Sequence, residues 1–443
     1  MSPVRPQVRP GNRHYTLVCT SCGTRYEDDG LILDCPRPHD PAFLRTEYTE
    51  YTAHGGPEGS AGRVGTGLFR HAPLLPVART FPDVPGPVVH HADRLGRRIG
   101  LDQLWVAFSG YWPERGAQLP TCTFKDLEAY TVLGRLPADP PVLVIPSAGN
   151  TAAAFAWAAT RHQVPCLLVV PEPAMAGMRF PGPLDPCVRI VVLDGGATYS
   201  DAIAAADLLA RLPGHQAEGG CRNVGRRDGL GTVMLAAAEA IGRLPQTYVQ
   251  AVGSGTGAIG AHEAARRIRS GGERLPRLLM CQNAPFTPLF EAWRFGGAAP
   301  ADREHEPLAR ELTNRRPPFA VHGGVRDVLT ESCGDVLRVD NVAAIAAMDL
   351  FAETEGIDIE PGAGVALAAL AEAVSAGRVD RDEVVLLNIT GGGRARQARD
   401  LRLIPAEPWL RVPWPTGGDG PRVVAEQVGR RLSYASTPAG SAS

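Results

Sequence analysis

Short apolar runs alternate with alanine-rich amphipathic stretches along most of the chain. The apolar runs predict buried strands at Leu104–Phe108, Val142–Ile145, Cys166–Val170, Arg189–Leu193, Gln246–Val252, Arg277–Cys281 and Val384–Ile389. The amphipathic stretches predict helices at Phe124–Leu133, Thr151–Thr160, Tyr199–Arg211, Thr232–Ile241, Gly257–Arg269 and Ala363–Ser375. Nearly continuous apolar strands separated by helices are typical of an α/β protein with parallel sheets.

The ends of this pattern have a different composition. Residues 1–13 are basic and proline-rich without an apolar run, and we expect a disordered lead-in. A compact Cys/His segment follows at 14–52, and a glycine-rich stretch at 53–66 indicates a linker or loop. Residues 406–443 are expected to be a C-terminal extension that ends in a loose, small-residue tail.

Overall composition excludes several classes of protein. Apolar residues make up 44% and charged residues 21%, which is ordinary globular usage. A net charge of −2 and a pI near 6.6 argue against nucleic-acid binding, and no apolar run is long enough to span a membrane. The nine cysteines are scattered, and the N-terminus lacks an apolar signal region. These features predict a reduced, cytoplasmic protein.

One lysine stands among 45 basic residues, because all the others are arginine. A simple explanation is a drift that replaced surface lysines, since arginine supplies the same charge. Arginine cannot, however, replace the primary amine of a lysine that forms a Schiff base. Lys125 is therefore the first candidate for a catalytic residue.

The segment around Lys125 reads Pro120-Thr-Cys-Thr-Phe-Lys-Asp. Small hydroxyl and thiol side chains precede the lysine, and a helix is predicted to begin there. The segment could equally be an ordinary helix N-terminus capped by Thr123. The absence of other lysines favours the catalytic interpretation.

Two further loops join the end of a predicted strand to the start of a helix. Residues 147–151 (Ser-Ala-Gly-Asn-Thr) follow one apolar run, and residues 253–257 (Gly-Ser-Gly-Thr-Gly), here called the glycine loop, follow another. Backbone N–H groups at such a helix start bind carboxylate or phosphate.

The glycine loop also satisfies a dinucleotide fingerprint, through Gly255, Gly257 and Gly260. That fingerprint requires an acidic residue at the end of the next strand, where Gln282 and Asn283 stand instead. A phosphate monoester therefore fits the loop better than NAD. A fourth turn, Thr390 followed by three glycines, ends the last apolar run and places a hydroxyl where a heterocycle could lie.

Taken together, these four motifs resemble those of fold-type II pyridoxal-phosphate enzymes of the threonine synthase family. Order and spacing match over roughly residues 65–395. The resemblance implies a tryptophan synthase β-like architecture with two lobes and parallel-rich sheets. It implies a large cofactor-binding domain formed by 53–125 and 236–405, and a small mobile domain at 126–235. A homo-oligomer is expected, with a dimer favoured.

The resemblance also implies the roles of individual residues. Lys125 would bind the cofactor as a Schiff base and then remove the substrate Cα proton, and Thr390 would contact the pyridine nitrogen. A neutral hydroxyl at that nitrogen favours elimination or replacement over transamination. The remaining contacts implied are Asn150 with the cofactor's 3-hydroxyl, Gly253, Ser254, Gly255, Thr256 and Gly257 with its phosphate, and Ser147, Asn150 and Thr151 with the substrate carboxylate.

Cys19-x-x-Cys22, Cys35 and His39 form a set that suits a tetrahedral structural zinc. The alternative is a zinc-free remnant, because zinc ribbons more often contain two Cys-x-x-Cys pairs. A similar N-terminal knuckle occurs among threonine synthases. Residues 15–23, 44–48, 67–70 and 312–319 bring the chain closer to the cysteate synthase branch.

The cysteate synthase branch implies replacement of the phosphate of O-phospho-L-serine by sulfite. Its partners would be a phospho-amino acid and a small anionic nucleophile, with no nucleic acid and no membrane. Arg315 and Arg316 would suit an oxyanion clamp, although two adjacent arginines could equally lie in solvent. Thr121 and Thr123 could also donate to the phosphate. The alternatives are a threonine synthase acting on O-phosphohomoserine and water, replacement by another nucleophile, and an NAD-dependent enzyme.

Overall fold

The computed structural model describes residues 7–8, 14–48, 67–297, 306–315, 317–415 and 418–436. Most of the expected lead-in, the glycine-rich stretch at 53–66, Arg316 and the last seven residues lie outside the described residues. No helix among the residues described is long and apolar enough to cross a membrane.

The strands alternate with helices through most of the described chain. In chain order they are β1 (Gln7–Val8), β2 (Tyr15–Cys19), β3 (Arg25–Tyr26), β4 (Leu44–Tyr48), β5 (Arg79–Thr80), β6 (Val88–His91), β7 (Leu104–Phe108), β8 (Tyr111–Trp112), β9 (Ala117–Gln118), β10 (Val142–Pro146), β11 (Cys166–Pro171), β12 (Arg179–Phe180), β13 (Val188–Asp194), β14 (His215–Ala217), β15 (Thr247–Ala251), β16 (Arg277–Asn283), β17 (Asp335–Val339), β18 (Val385–Ile389), β19 (Ile404–Pro405) and β20 (Leu410–Pro413).

The helices follow the predicted order. They are α1 (Asp93–Ile99), α2 (Lys125–Arg135), α3 (Asn150–His162), α4 (Tyr199–Leu209), α5 (Val224–Ile241), α6 (Thr256–Ile268), α7 (Pro288–Phe295), α8 (Val325–Glu331), α9 (Asn341–Glu355), α10 (Pro361–Ser375), α11 (Arg394–Asp400) and α12 (Gly420–Ser436). Every strand and helix predicted from the apolar pattern is present, within a few residues except at the start of α5. The α/β fold prediction is confirmed.

The larger of two compact units contains Pro6–Arg135 and Gly220–Leu401. Its sheet has the order β17-β16-β15-β18-β7-β6, parallel throughout except for the edge strand β6. Helix α10 packs on this sheet with a face of alanine and leucine side chains that are almost completely buried. Parallel strands place all their carboxyl ends at one edge, which is where an α/β sheet carries its site.

The smaller unit contains Leu136–Gly219 and the described residues from Arg402 onward. Its sheet is fully parallel, in the order β14-β10-β11-β13-β20. Strand β20 and helix α12 belong to the expected C-terminal extension. Val424 and Val428 of α12 pack into the apolar core of this unit together with Val412 of β20. The extension is therefore part of the folded core as far as it is described.

Helix α5 begins eight residues before its predicted start. Residues 225–231 are rich in glycine and charge, which hid the helical pattern. Glycine is needed there because a Cβ at Gly229 would lie 2.5 Å from the Leu127 carbonyl oxygen of α2, and one at Gly231 would lie 2.6 Å from that of Gly260 in α6. Close packing against two helices thus outweighs the low helix propensity of glycine.

The Cys/His segment forms a small antiparallel sheet of β3, β2 and β4. Tyr15, Leu17 and Leu44 pack against Val224, the first residue of α5. Arg135 at the end of α2 is buried and donates two hydrogen bonds to Asp28 of this segment, at 2.7 and 2.8 Å. The segment is therefore anchored on both α2 and α5.

Candidate active site

Three segments of the larger unit meet at the carboxyl ends of its parallel strands. The glycine loop follows β15, and Thr390 follows β18. Thr123 forms an antiparallel bridge with Gly391, and the Phe124 N–H donates to the Thr390 carbonyl over 2.9 Å. These backbone contacts place Lys125, the first residue of α2, beside the Thr390 turn.

The glycine loop is shaped to receive a group at the N-terminus of α6. Gly255 has a φ of 80° and is the N-cap, and the Ser254 and Thr256 hydroxyls lie 2.6 Å apart. A Cβ at Gly257 would lie 2.9 Å from the ring of Phe124. Three of the five loop residues are glycines, which allow a ligand to approach the backbone closely, and the loop contacts the residue that precedes Lys125. Backbone N–H groups at a helix N-terminus fit a phosphate.

Lys125 lies next to a buried carboxylate. Its Nζ donates to Oε2 of Glu128 over 3.2 Å, and Arg226 of α5 donates to Oε1 of the same carboxylate over 3.0 Å. The exposed fractions of the three side chains are 23% for Lys125, 0% for Glu128 and 10% for Arg226. Each oxygen of the Glu128 carboxylate thus contacts a different basic side chain.

Asp126 anchors the loop before Lys125. Its carboxylate accepts hydrogen bonds from the Thr121 N–H at 2.9 Å and from the Thr121 hydroxyl at 3.0 Å. Burial raises the pKa of Asp126 to about 7, although these hydrogen bonds oppose the rise. The Thr121 hydroxyl is directed at Asp126, whereas Thr123 accepts from the Lys125 N–H over 3.3 Å.

The loop at 147–151, predicted to bind the substrate carboxylate, lies in the smaller unit. Ser147 follows β10, and its Oγ accepts from the N–H groups of Gly149 at 3.1 Å and Ala152 at 3.0 Å. This hydroxyl thus supports the first turn of α3, where Asn150 and Thr151 lie half-buried.

The predicted arginine clamp is described only in part. Arg315 is exposed, and Arg316 lies outside the described residues. The short helix at Arg310–Leu312 reaches the glycine loop, since a Cβ at Gly253 would lie 3.0 Å from the carbonyl oxygen of Leu312.

The four predicted metal ligands converge in the Cys/His segment. Sγ of Cys19 lies 3.3 Å from Nε2 of His39, and Sγ of Cys22 lies 3.8 Å from Sγ of Cys35. All four ligand atoms lie within 4.8 Å of one another. Zinc–sulfur bonds of about 2.3 Å in a tetrahedron place sulfur ligands about 3.8 Å apart, so the spacing fits zinc.

The surroundings of this cluster also suit a metal. His39 Nδ1 lies 2.6 Å from the Asp40 carbonyl oxygen, which leaves Nε2 for a metal. Burial opposes ionisation of Cys35, but hydrogen bonds, led by one from Tyr26, lower its pKa to about 6. Thiolate is the form that binds zinc.

Sequence reasoning missed Glu128 and Arg226. Glu128 carried a signal, because residues three apart on a helix share a face, so a carboxylate three positions after Lys125 faces it. Arg226 carried none, because the glycine-rich start of α5 was not recognised as helical.

Comparison with known proteins identifies the family. Residues 90–391 match the family model described as pyridoxal-phosphate dependent enzyme. The chain belongs to this family. The match spans Lys125, the glycine loop and Thr390, and it confirms the resemblance drawn from the four motifs. It supports pyridoxal phosphate, rather than a dinucleotide, as the cofactor of this enzyme.

Several relatives similar to this chain are named cysteate synthase. The chain is 43% identical over 415 residues to a cysteate synthase of Methanosphaerula palustris, covering 90% of this chain and 94% of the relative. It is 43% identical over 411 residues to one of Methanoculleus marisnigri, covering 90% and 93%. Identity to one of Methanosarcina acetivorans is 39% over 411 residues, covering 90% and 96%.

Solved structures agree on the fold of this pyridoxal-phosphate enzyme. Maize serine racemase has a TM-score of 0.56 at 18% identity, covering 71% of this chain and 91% of that chain. A threonine deaminase isoform of Solanum lycopersicum has a TM-score of 0.55 at 16% identity, covering 83% and 97%. The fold-type II architecture is confirmed.

Proposed function

We propose that the enzyme converts O-phospho-L-serine and sulfite to L-cysteate and phosphate. The observation that carries the proposal is the similarity, over nine-tenths of the chain, to relatives named cysteate synthase. The guanidinium of Arg226 near Lys125 supports it, since both the leaving group and the nucleophile are anions.

Lys125 is the proposed general base. Bound pyridoxal phosphate supplies an electron sink that makes the Cα proton of an amino acid easier to remove. The Lys125 amine takes that proton, and the phosphate then leaves Cβ, where sulfite adds. Lys125 is the most exposed member of its charged cluster, so its amine is accessible to a substrate.

The cofactor contacts are assigned to residues around Lys125. The glycine loop would hold the cofactor phosphate at the N-terminus of α6, and the Thr390 hydroxyl would accompany the pyridine nitrogen. The backbone contact between Phe124 and Thr390 supports this assignment because it holds the Lys125 segment and the Thr390 turn together, and the glycine loop contacts Phe124 at Gly257. Asn150 keeps its proposed contact with the 3-hydroxyl.

Anion recognition is assigned first to Arg226. Its guanidinium lies against Glu128 beside Lys125, and a guanidinium suits phosphate and sulfite. Thr123 is better suited than Thr121 to donate to the phosphate, because the Thr121 hydroxyl donates to Asp126. Arg315 and Arg316 stay proposed contributors to the oxyanion clamp. The substrate carboxylate is assigned to the loop of Ser147, Asn150 and Thr151.

Product analysis tests this function. Purified enzyme is incubated with O-phospho-L-serine and sulfite, and in parallel with O-phosphohomoserine alone. We expect cysteate and phosphate in equal amounts from the first mixture and no threonine from the second. Threonine without cysteate would replace the proposal with a threonine synthase. Parallel incubations of O-phospho-L-serine in water alone, or with sulfide or thiosulfate in place of sulfite, would identify a different nucleophile by its product.

We propose in addition that Cys19, Cys22, Cys35 and His39 bind a structural zinc ion. The ligand spacing supports this proposal. We expect about one zinc per chain by atomic emission, and a lower melting temperature after chelation. Cys22→Ser should lose the zinc, whereas Cys333→Ser, which alters an exposed cysteine outside the cluster, should keep it. Full stability of a zinc-free protein would contradict the proposal.

We propose that the enzyme is a cytoplasmic homodimer acting on small molecules. All nine cysteines lie in the described residues and none is paired in a disulfide, which supports a reducing compartment. Light scattering coupled to size-exclusion chromatography should give about twice the chain mass of 47.0 kDa. A mass equal to one chain would contradict the dimer.

A further inference from the structure

The charged cluster beside Lys125 contains a group with no assigned role. Glu128 is completely buried, and each of its carboxylate oxygens contacts a different cation, Lys125 or Arg226. We propose that Glu128 is a positioning residue that holds the free Lys125 amine at the place from which it takes the Cα proton. This inference rests on the proposed function.

Arg226 holds the Glu128 carboxylate in place through a hydrogen bond. A buried carboxylate without a partner is costly, and the guanidinium at 3.0 Å compensates its charge. The two helices that carry this pair are locked together, because a Cβ at Gly229 of α5 would lie 2.5 Å from the Leu127 carbonyl oxygen of α2. Lys125, with 23% of its side chain exposed, is the most exposed of the three.

A fixed carboxylate changes what a long, flexible lysine can do. Lysine has several rotatable bonds, and holding its amine in one place costs conformational entropy. A carboxylate 3.2 Å from Nζ limits the volume that the amine samples before it meets the substrate. Placing a base in a reactive geometry contributes to rate in the same way as holding two reactants together.

The proton balance of the step is consistent with this role. The neutral Lys125 amine takes the Cα proton, so a C–H bond breaks and an N–H bond forms on Nζ. The electron pair left on carbon forms the Cα–Cβ double bond while the Cβ–O bond breaks, and phosphate departs with the electron pair of that Cβ–O bond. The ammonium produced on Lys125 then has the Glu128 carboxylate as its counter-charge.

Glu128→Gln is the test, because it keeps the shape and removes the charge. Phosphate release is measured with O-phospho-L-serine and with its Cα-deuterated form. We expect kcat to fall about tenfold to hundredfold with KM changed less than about threefold, and the isotope effect to increase because proton transfer limits the rate more. Glu128→Asp, which keeps the charge, should recover part of kcat.

A second readout does not depend on turnover. Borohydride reduction of the loaded enzyme leaves a pyridoxyl label, and Lys125 is the one lysine on which it can be found. We expect equal labelling of Glu128→Gln and the wild type. Glu383→Gln is the matched control, because Glu383 is a mostly buried carboxylate beside Arg277 at the opposite ends of the strands. It should leave kcat and the isotope effect unchanged.

Two results would overturn the inference. One is a wild-type kcat and isotope effect in Glu128→Gln. The other is a loss of rate in proportion to the loss of pyridoxyl label on Lys125, with an unchanged isotope effect. That result would indicate a purely structural role for Glu128. If Glu128→Gln does not fold, the double variant Glu128→Met/Arg226→Met removes both buried charges and restores packing. It should still show the increased isotope effect at saturating substrate.

Failure of the proposed function can be told apart from failure of this inference. Phosphate release does not depend on which nucleophile adds, so missing cysteate with intact phosphate release contradicts the function alone. If the wild type releases no phosphate from phosphoserine, the comparison of variants uses deuterium uptake from heavy water at Cα of L-serine. Equal uptake by Glu128→Gln and the wild type would then contradict the role of Glu128.

Discussion

Lys125 is the central residue of the proposed mechanism, because no other side chain in this sequence is a lysine amine. It is the only lysine, it begins α2, and it lies beside the Thr390 turn. Charge alone does not explain its retention, since 44 arginines supply charge elsewhere. The proposed Schiff base requires a primary amine, because the guanidinium of arginine stays protonated and forms no Schiff base.

Lys125→Arg should therefore fold and lose all turnover. We expect a melting temperature within a few degrees of the wild type, because arginine can keep the ion pair with Glu128. The visible absorption of bound cofactor that borohydride removes should be absent. Measurable turnover by this variant, after removal of any wild-type contamination, would refute the role of Lys125.

The raised pKa of Asp126 predicts that the stability of the fold depends on pH. Burial raises its pKa to about 7 in the folded state, against about 4 when unfolded. The folded state then binds the proton more tightly, so this carboxyl stabilises the fold at low pH. That contribution is lost as the pH rises from about 4 to about 7.

Asp126→Asn removes this titration. Between pH 4.5 and pH 7.5, the free energy of unfolding of the variant should rise by about 1–3 kcal/mol relative to that of the wild type. Urea denaturation at the two pH values measures the difference. A difference that stays constant, or that moves in the opposite direction, would contradict the raised pKa.

The glycine loop illustrates what the helices contribute. Gly255 needs a positive φ, and a Cβ there would lie 2.6 Å from Cγ2 of Val325 in α8. Gly255→Ala should therefore lose about 1–3 kcal/mol of stability and bind pyridoxal phosphate at least tenfold more weakly. Gly271→Ala is the control, because its Cβ would meet no atom within 4 Å.

Cofactor affinity is measured by titrating the cofactor-free variants and following visible absorption. Wild-type affinity in Gly255→Ala would show that the loop does not hold the cofactor. An equal loss in the Gly271→Ala control would show that the effect is not specific to the loop.

The elements that the sequence predicts well are those with simple patterns. The buried strands β7 and β10 are predicted because their residues are continuously apolar, and β18 departs from that pattern only at Asn388. Helix α5 was placed too late because its glycines and charged residues serve packing and ion pairing rather than amphipathic periodicity. The Lys125 segment, the glycine loop and Thr390 were found through local chemistry, but Arg226 needs the contact between α2 and α5, which no local pattern contains.

At the level of the molecule, the C-terminal residues complete the smaller unit. Val424 and Val428 of α12 are fully buried in its core. Removing residues 418–443 should therefore destabilise this unit by several kcal/mol, at about 1.5–3 kcal/mol for each buried valine. Thermal unfolding and limited proteolysis measure the loss. Removing only residues 437–443 is the control and should leave the melting temperature unchanged, and an equally stable longer truncation would contradict the assignment.

The larger unit contains Lys125, the glycine loop and Thr390, which are proposed to bind the cofactor, together with the charged cluster and the Cys/His segment. The last of these packs on α5 through Val224, close in sequence to Arg226. In the proposed reaction, Lys125 removes a proton and Arg226, in the same unit, binds the phosphate that leaves.

The central claim is tested most directly by mass spectrometry of the products formed from O-phospho-L-serine and sulfite. We expect one cysteate and one phosphate per phosphoserine consumed, with sulfite oxygens retained in the cysteate. Consumption of phosphoserine without cysteate, or no consumption by enzyme that carries its cofactor on Lys125, would contradict it.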